Sequence, residues 1–169
     1  MPATLDLREE LTFYKRYHKQ RANVIIHMIF VPTILYSGMV ILHQVKLYKG
    51  YTLTHFLAVL FVMYYVALSR RVGSLLSCIL VATLHGIDTG SLSVSPRTAY
   101  MLFVLGWIFQ FIGHGYFEGR KPALLDSFVQ SLVTAPLFIL FEVLFHLGFY
   151  PDLNAELQRR IDGEKKPGL

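Results

Sequence analysis

The chain has 169 residues, of which 54% are hydrophobic and only 16% charged, against roughly 25% charged in ordinary soluble domains. A net charge of +5 does not point to nucleic acid, because no basic stripe alternates with aromatics in a polar context. A single cysteine, Cys78, excludes a disulfide framework and a cysteine-based zinc site. Residues 1–21 and 151–169 carry eight charges each, and the 129 residues between them only eleven. Residues 22–45, 50–69, 72–87, 98–117 and 127–141 contain no Asp, Glu, Lys or Arg. A helix needs about 20 apolar residues to cross a bilayer. The expected fold class is therefore all-α, a polytopic membrane helix bundle of about four to six membrane helices.

In chain order, the charged N-terminus lacks the apolar stretch of a cleaved signal peptide, so the first span is expected to direct insertion. Leu5, Leu7, Leu11, Phe13, Tyr14 and Tyr17 interleave with charges and predict a short amphipathic helix at the interface. Spans are expected over residues 24–44, 52–69, 73–88 and 98–114. The final apolar region, 123–149, is too long for one ordinary crossing and carries Pro136. It reads either as one kinked span or as two half-helices turning back. One membrane-embedded domain over 1–151 and a charged tail over 152–169 complete the expected organisation. The N-terminal stretch, Arg70–Arg71 and Arg120–Lys121 place nine cations on one side, expected to be cytosolic, with Lys46, Lys49 and Arg97 opposite. The start of the first span and the end of the fourth then share a face.

On that topology the seven histidines fall into layers. His18, His27 and His114 lie at the expected cytosolic face, and a chain turn near Asn23 lets His18 and His27 point at one spot. His114 and Glu118 are four apart, a spacing that places two ligands on one helical face. Neutral imidazole is the commonest metal ligand, and carboxylates complete the facial sites of non-haem iron oxygenases. Any one of these histidines could equally be satisfied by a backbone carbonyl, whereas three converging with a carboxylate favour a metal. His43, His55, His85 and Asp88 form a second layer, which fits either another metal site or residues facing headgroups. Glu142 with His146, and Asp126 with Gln130, are expected as intrahelical polar pairs. Arg120 and Lys121 suit either membrane anchoring or docking of an anionic headgroup or carboxylate.

The string Tyr14-Lys-Arg-Tyr-His18, then Asn23, His27 and Pro32, then Gly106-Trp107, Gln110, the run GHGYFEGRKPAL and a later Ala135-Pro136 resembles the fungal 2-hydroxy fatty acid dioxygenase family. The likeness runs from about Leu5 to Pro151. It implies an iron(II)-dependent α-oxidation in the endoplasmic reticulum membrane, in phytosphingosine breakdown. A long-chain 2-hydroxy fatty acid reacts with dioxygen, carbon dioxide is lost, and an acid one carbon shorter remains. The resemblance makes His18, His27 and His114 the expected Fe(2+) ligands. Glu118 is expected as a fourth ligand or just outside the ligand set, and Arg120 as the cation holding the substrate carboxylate. Asn23 and Tyr14 are further candidates, as is His43 if the first span bends at Pro32. Two rivals remain. A di-iron hydroxylase would carry closely spaced histidine boxes, which this sequence lacks. A lipid-binding scaffold with interfacial histidines would hold no stoichiometric metal.

Overall fold

The computed structural model describes residues 5–119 and 128–163. Helix α1, Leu7–Tyr17, begins at Asp6, whose carboxylate accepts from the backbone N–H groups of Arg8 at 2.8 Å and Glu9 at 3.3 Å. After a short turn, α2 runs from Arg21 to His43 without a break at Pro32. Lys49 and Gly50, both at positive φ, turn the hairpin β1 (Lys46–Tyr48) and β2 (Tyr51–Thr52). Thr52 and His55 then form a reciprocal cap at the start of α3, Leu53–Leu68. Helix α4, Arg70–Asp88, follows at once. Helix α5, Pro96–Ile112, is capped by Ser95, whose hydroxyl accepts from the Thr98 N–H at 3.1 Å. A π-helical turn, Gly113–Glu118, extends α5 and ends at Gly119 in the left-handed region. The last helices are α6, Phe128–His146, and α7, Pro151–Gly163.

Helices α2, α4 and α5 with its π turn are each long and apolar enough to cross a membrane. Helix α3 has 16 residues, about 24 Å of helix, and returns the chain between α2 and α4. Large apolar side chains such as Ile29, Phe56, Val59, Ile79 and Val104 lie exposed on the outer faces of these four helices, as lipid contact requires. The protein is an all-α membrane helix bundle.

The buried core divides into two layers. One holds Met39, Val40, Ala58, Leu80, Leu84, Ile87 and Ala99, all from α2–α5. The other, around the α3–α4 turn, joins Val31, Tyr65, Leu68, Val72 and Leu76 to Leu11 and Tyr14 of α1, Leu137–Phe141 of α6 and Leu157 of α7. Helices α1, α6 and α7 therefore close one end of the bundle. Tyr65 donates its hydroxyl to the Val133 carbonyl at 3.0 Å, which ties α6 to that end.

In the described part of the final apolar region the chain forms one helix rather than two half-helices turning back. Helix α6 is continuous through Pro136, and the chain reverses only after His146, where α6 and α7 meet at 112°. Helix α7 occupies the first part of the expected charged tail and lies on α1. Its Leu157 and Ile161 are buried, and Arg8 pairs with Glu156 at 3.3 Å. Lys15 of α1 reaches Glu142 of α6 at 2.9 Å, with both side chains only 9% exposed. Breaking such a buried pair by removing one partner costs about 3–5 kcal/mol. Glu142 thus turns to Lys15. His146 Nδ1 instead donates to the Glu142 backbone carbonyl at 2.7 Å, so the expected side-chain pair is not formed. Asp126 lies outside the described residues.

Candidate metal centre and its cavity

The site arises where α5 meets α2. Ala99 and Gly106 of α5 and Gly113 of the π turn recur every seven residues and are buried, a seam of small residues that lets two backbones approach closely. A Cβ on Gly106 would sit 2.5 Å from Ile34 Cγ1, and one on Gly113 would run into Asn23 Oδ1. The end of α5 is thereby held against the first turn of α2. The π turn that follows presents His114 there, and π bulges are frequent at functional sites. Helix α1 delivers His18 to the same point at its C-terminus.

The three imidazoles converge. Ring centroids lie 4.3 Å apart for His18–His27, and 4.8 Å for both His18–His114 and His27–His114. One nitrogen from each lies within 4.8 Å of the others. His18 Nδ1 bonds the Tyr14 carbonyl at 2.8 Å and His27 Nδ1 bonds the Asn23 carbonyl at 2.9 Å. A carbonyl only accepts, so both Nδ1 atoms carry the proton and both Nε2 atoms keep a free lone pair. His18 Nε2 and His114 Nδ1 are buried with no hydrogen-bond partner among the described residues. Burial, reinforced by His27 and His114, pushes the His18 pKa well below its usual range, so the ring is held in its neutral form. Buried lone pairs facing one point suit a cation, and this donor set fits a metal such as iron.

Tyr14 stacks on His18 with centroids 3.9 Å apart, and its hydroxyl is buried without a partner among the described residues. Burial, with Glu142 and Glu118 adding to it, raises the Tyr14 pKa well above the usual phenol value, so the hydroxyl stays a donor. Glu118 does a different job from a ligand. Its Oε1 accepts from the N–H groups of Lys19 and Gln20, both at 2.8 Å, and from Asn23 Nδ2 at 3.2 Å. A carboxylate there complements the positive end of α2 and ties the π turn to the helix carrying His27. Asn23, fully buried, links both: its side chain holds Glu118 and its carbonyl holds His27. Arg120 and Lys121 lie outside the described residues.

His43 is not at this centre. It sits 16 residues beyond His27 on the unbroken α2, about 24 Å away. There Asp88 accepts from His43 Nε2 at 3.5 Å and from His55 Nε2 at 3.2 Å. The Thr52 N–H donates to His55 Nδ1 at 3.2 Å, so the His55 proton must reside on Nε2, where a metal would need a lone pair. This second cluster is a hydrogen-bonded clasp across α2, α3 and α4 rather than a set of separate headgroup contacts. His85 is exposed and outside it.

A cavity of about 270 Å³ opens beside the triad. Tyr14, His18, His27, Gln110 and His114 line one end of it; from there it follows α2 past Ile34 and Gly38 to Leu42. Gln110 is 7% exposed, and its Nε2 has no partner among the described residues. Gln110 stood in the recognised motif without an assigned role. Its spacing of one helical turn from His114 was the available signal.

A family model described as 2-hydroxy-palmitic acid dioxygenase Mpo1-like matches residues 4–147. The chain is 49% identical over 158 residues to the 2-hydroxy-palmitic acid dioxygenase MPO1 of Saccharomyces cerevisiae, covering 94% of this chain and 91% of that one. No solved structure matches. The chain belongs to the Mpo1-like family.

Proposed function

We propose that this protein is an iron(II)-dependent dioxygenase that shortens long-chain 2-hydroxy fatty acids by one carbon. Its setting is the endoplasmic reticulum membrane, in phytosphingosine breakdown. The observation that carries the reading is the joining of unpartnered imidazole nitrogens to the polar end of an apolar cavity. His18, His27 and His114 would hold the iron. When bound, iron supplies the redox chemistry with dioxygen and a point of attachment for the substrate hydroxyl and carboxylate. The balance closes without another reductant. R–CH(OH)–COOH and O2 give R–COOH, CO2 and water, with the C1–C2 bond broken and both carbons oxidised.

The chain's own groups do the rest. Tyr14 and Gln110 offer buried donors to the carboxylate and hydroxyl of the substrate. A buried donor with nothing to bond is costly, so a polar head that satisfies both is favoured there. Glu118 and Asn23 are positioning residues that fix His27 and His114 relative to each other. The apolar lining takes the acyl tail and excludes water from the reacting carbons. Arg120 supplies a further cation for the substrate carboxylate.

The test is a mass balance. Protein purified anaerobically, loaded with Fe(II) and then given air and 2-hydroxypalmitate should form pentadecanoate and carbon dioxide in equal amounts with the dioxygen consumed. A lipid-binding scaffold, the rival reading, would bind the acid and return it unchanged.

A further inference from the structure

The geometry points to Gly38, with Ala58 and Leu42, as the stop that sets substrate chain length. The inference rests on the acyl-tail reading above and goes past it to the residues that measure the tail. Gly38 lies eleven residues beyond His27 on α2 and Leu42 fifteen, about 16 and 22 Å of helix. A bilayer core of about 30 Å holds two acyl tails end to end, so one tail occupies about 15 Å. A tail whose head lies at the triad therefore ends near Gly38.

The cavity is finite there. Ala58 of α3 and Leu80 of α4 line it and belong to the tightly buried far layer, at 7% and 3% exposed. Thr54 also lines this end, and its hydroxyl is satisfied by the Met39 carbonyl at 2.8 Å, so the floor offers a tail no free polar group from that residue. At Gly38 an added Cβ would meet only the Phe103 ring, at 3.6 Å, an ordinary contact. Space beside Gly38 is thus cavity rather than packed protein. Gly38 and Phe103 both line the cavity, so a larger residue at 38 would extend into space that the tail uses.

The experiment uses a ladder of 2-hydroxy acids from laurate to arachidate. Trp107, the single tryptophan, lines the cavity, so its fluorescence reports binding under anaerobic conditions, independently of turnover. Affinity should rise about fourfold per methylene while the tail lengthens inside the apolar channel. It should stop rising at the acid whose tail meets the floor. Gly38→Leu should move that break to acids shorter by roughly four carbons, and Leu42→Ala should move it to longer ones. The gain of longer acids in Leu42→Ala cannot come from misfolding. Binding and chain shortening by the wild type, with the same break in both variants, would overturn the chain-length stop and leave the dioxygenase reading intact. A moving break without chain shortening would support the stop and overturn the dioxygenase reading. No saturable binding of any acid would overturn both.

Discussion

Gly113→Ala is a small change aimed at the joint on which the triad depends. A Cβ at Gly113 would fall roughly an ångström short of ordinary contact with Asn23 Oδ1. Asn23 cannot swing aside, because its amide holds Glu118 and its carbonyl holds His27. The π turn must then move off α2, carrying His114 away from His18 and His27. Overpacking of this kind costs about 1–3 kcal/mol, partly offset by about 0.5–1 kcal/mol from replacing a helical glycine. Net stability should fall by no more than about 2.5 kcal/mol, so the variant folds. Metal binding is less forgiving, since ligand distances tolerate about 0.2 Å. Iron affinity should drop by at least 10–100-fold, the range seen when groups supporting metal ligands are lost. Gly115→Ala is the control. It adds the same methyl two residues on, where nothing lies within 4 Å. Iron titration with thermal unfolding reads both quantities. Equal iron affinity in the two variants would refute the claim that the α2–α5 seam sets the triad.

Three further outcomes follow from other contacts. Lys15→Met should lower stability by about 3–5 kcal/mol in chemical unfolding, and adding Glu142→Leu should restore most of it, because the stranded charge is removed with its partner. In metal-free protein His18 should contribute a loss of stability as pH falls below about 6.5, by up to about 1.4 kcal/mol per unit. The unfolded His18 takes up a proton there that the buried ring, with its lowered pKa, refuses; His18→Phe should make that slope shallower in thermal unfolding by the share of one histidine. In a Cys78→Ala background, cysteines placed at Leu5 and Gly119 should be labelled from one face of the membrane and a cysteine at Lys49 from the other.

Much of this architecture was legible because lipid imposes a simple rule. The charge-free windows over 22–45, 72–87 and 98–117 became α2, α4 and α5 because each needs about 20 apolar residues. The charged turns then fixed which ends meet, and His27 and His114 followed. What stayed hidden depends on contacts distant in sequence or on local geometry that composition does not record. Lys15 and Glu142 read as unrelated charges until α6 crosses α1. Pro32 suggested a bend that would bring His43 inward. It sits instead on an exposed face of an unbroken helix, and His43 goes to Asp88. The π turn cannot be read from GHGYFE, so Glu118 reads as a ligand partner of His114 although it caps α2. In the C-terminal segment the charges masked the apolar series Leu153, Leu157 and Ile161, which docks α7 on α1.

Chain shortening by this protein requires that the three imidazoles hold the metal that the chemistry needs. Elemental analysis of anaerobically purified, Fe(II)-loaded protein, wild type beside His18→Ala, His27→Ala and His114→Ala, tests it most directly. One iron per chain in the wild type and almost none in each variant is the predicted result. Undiminished iron in all three variants, or wild-type protein that shortens 2-hydroxypalmitate without iron, would contradict it.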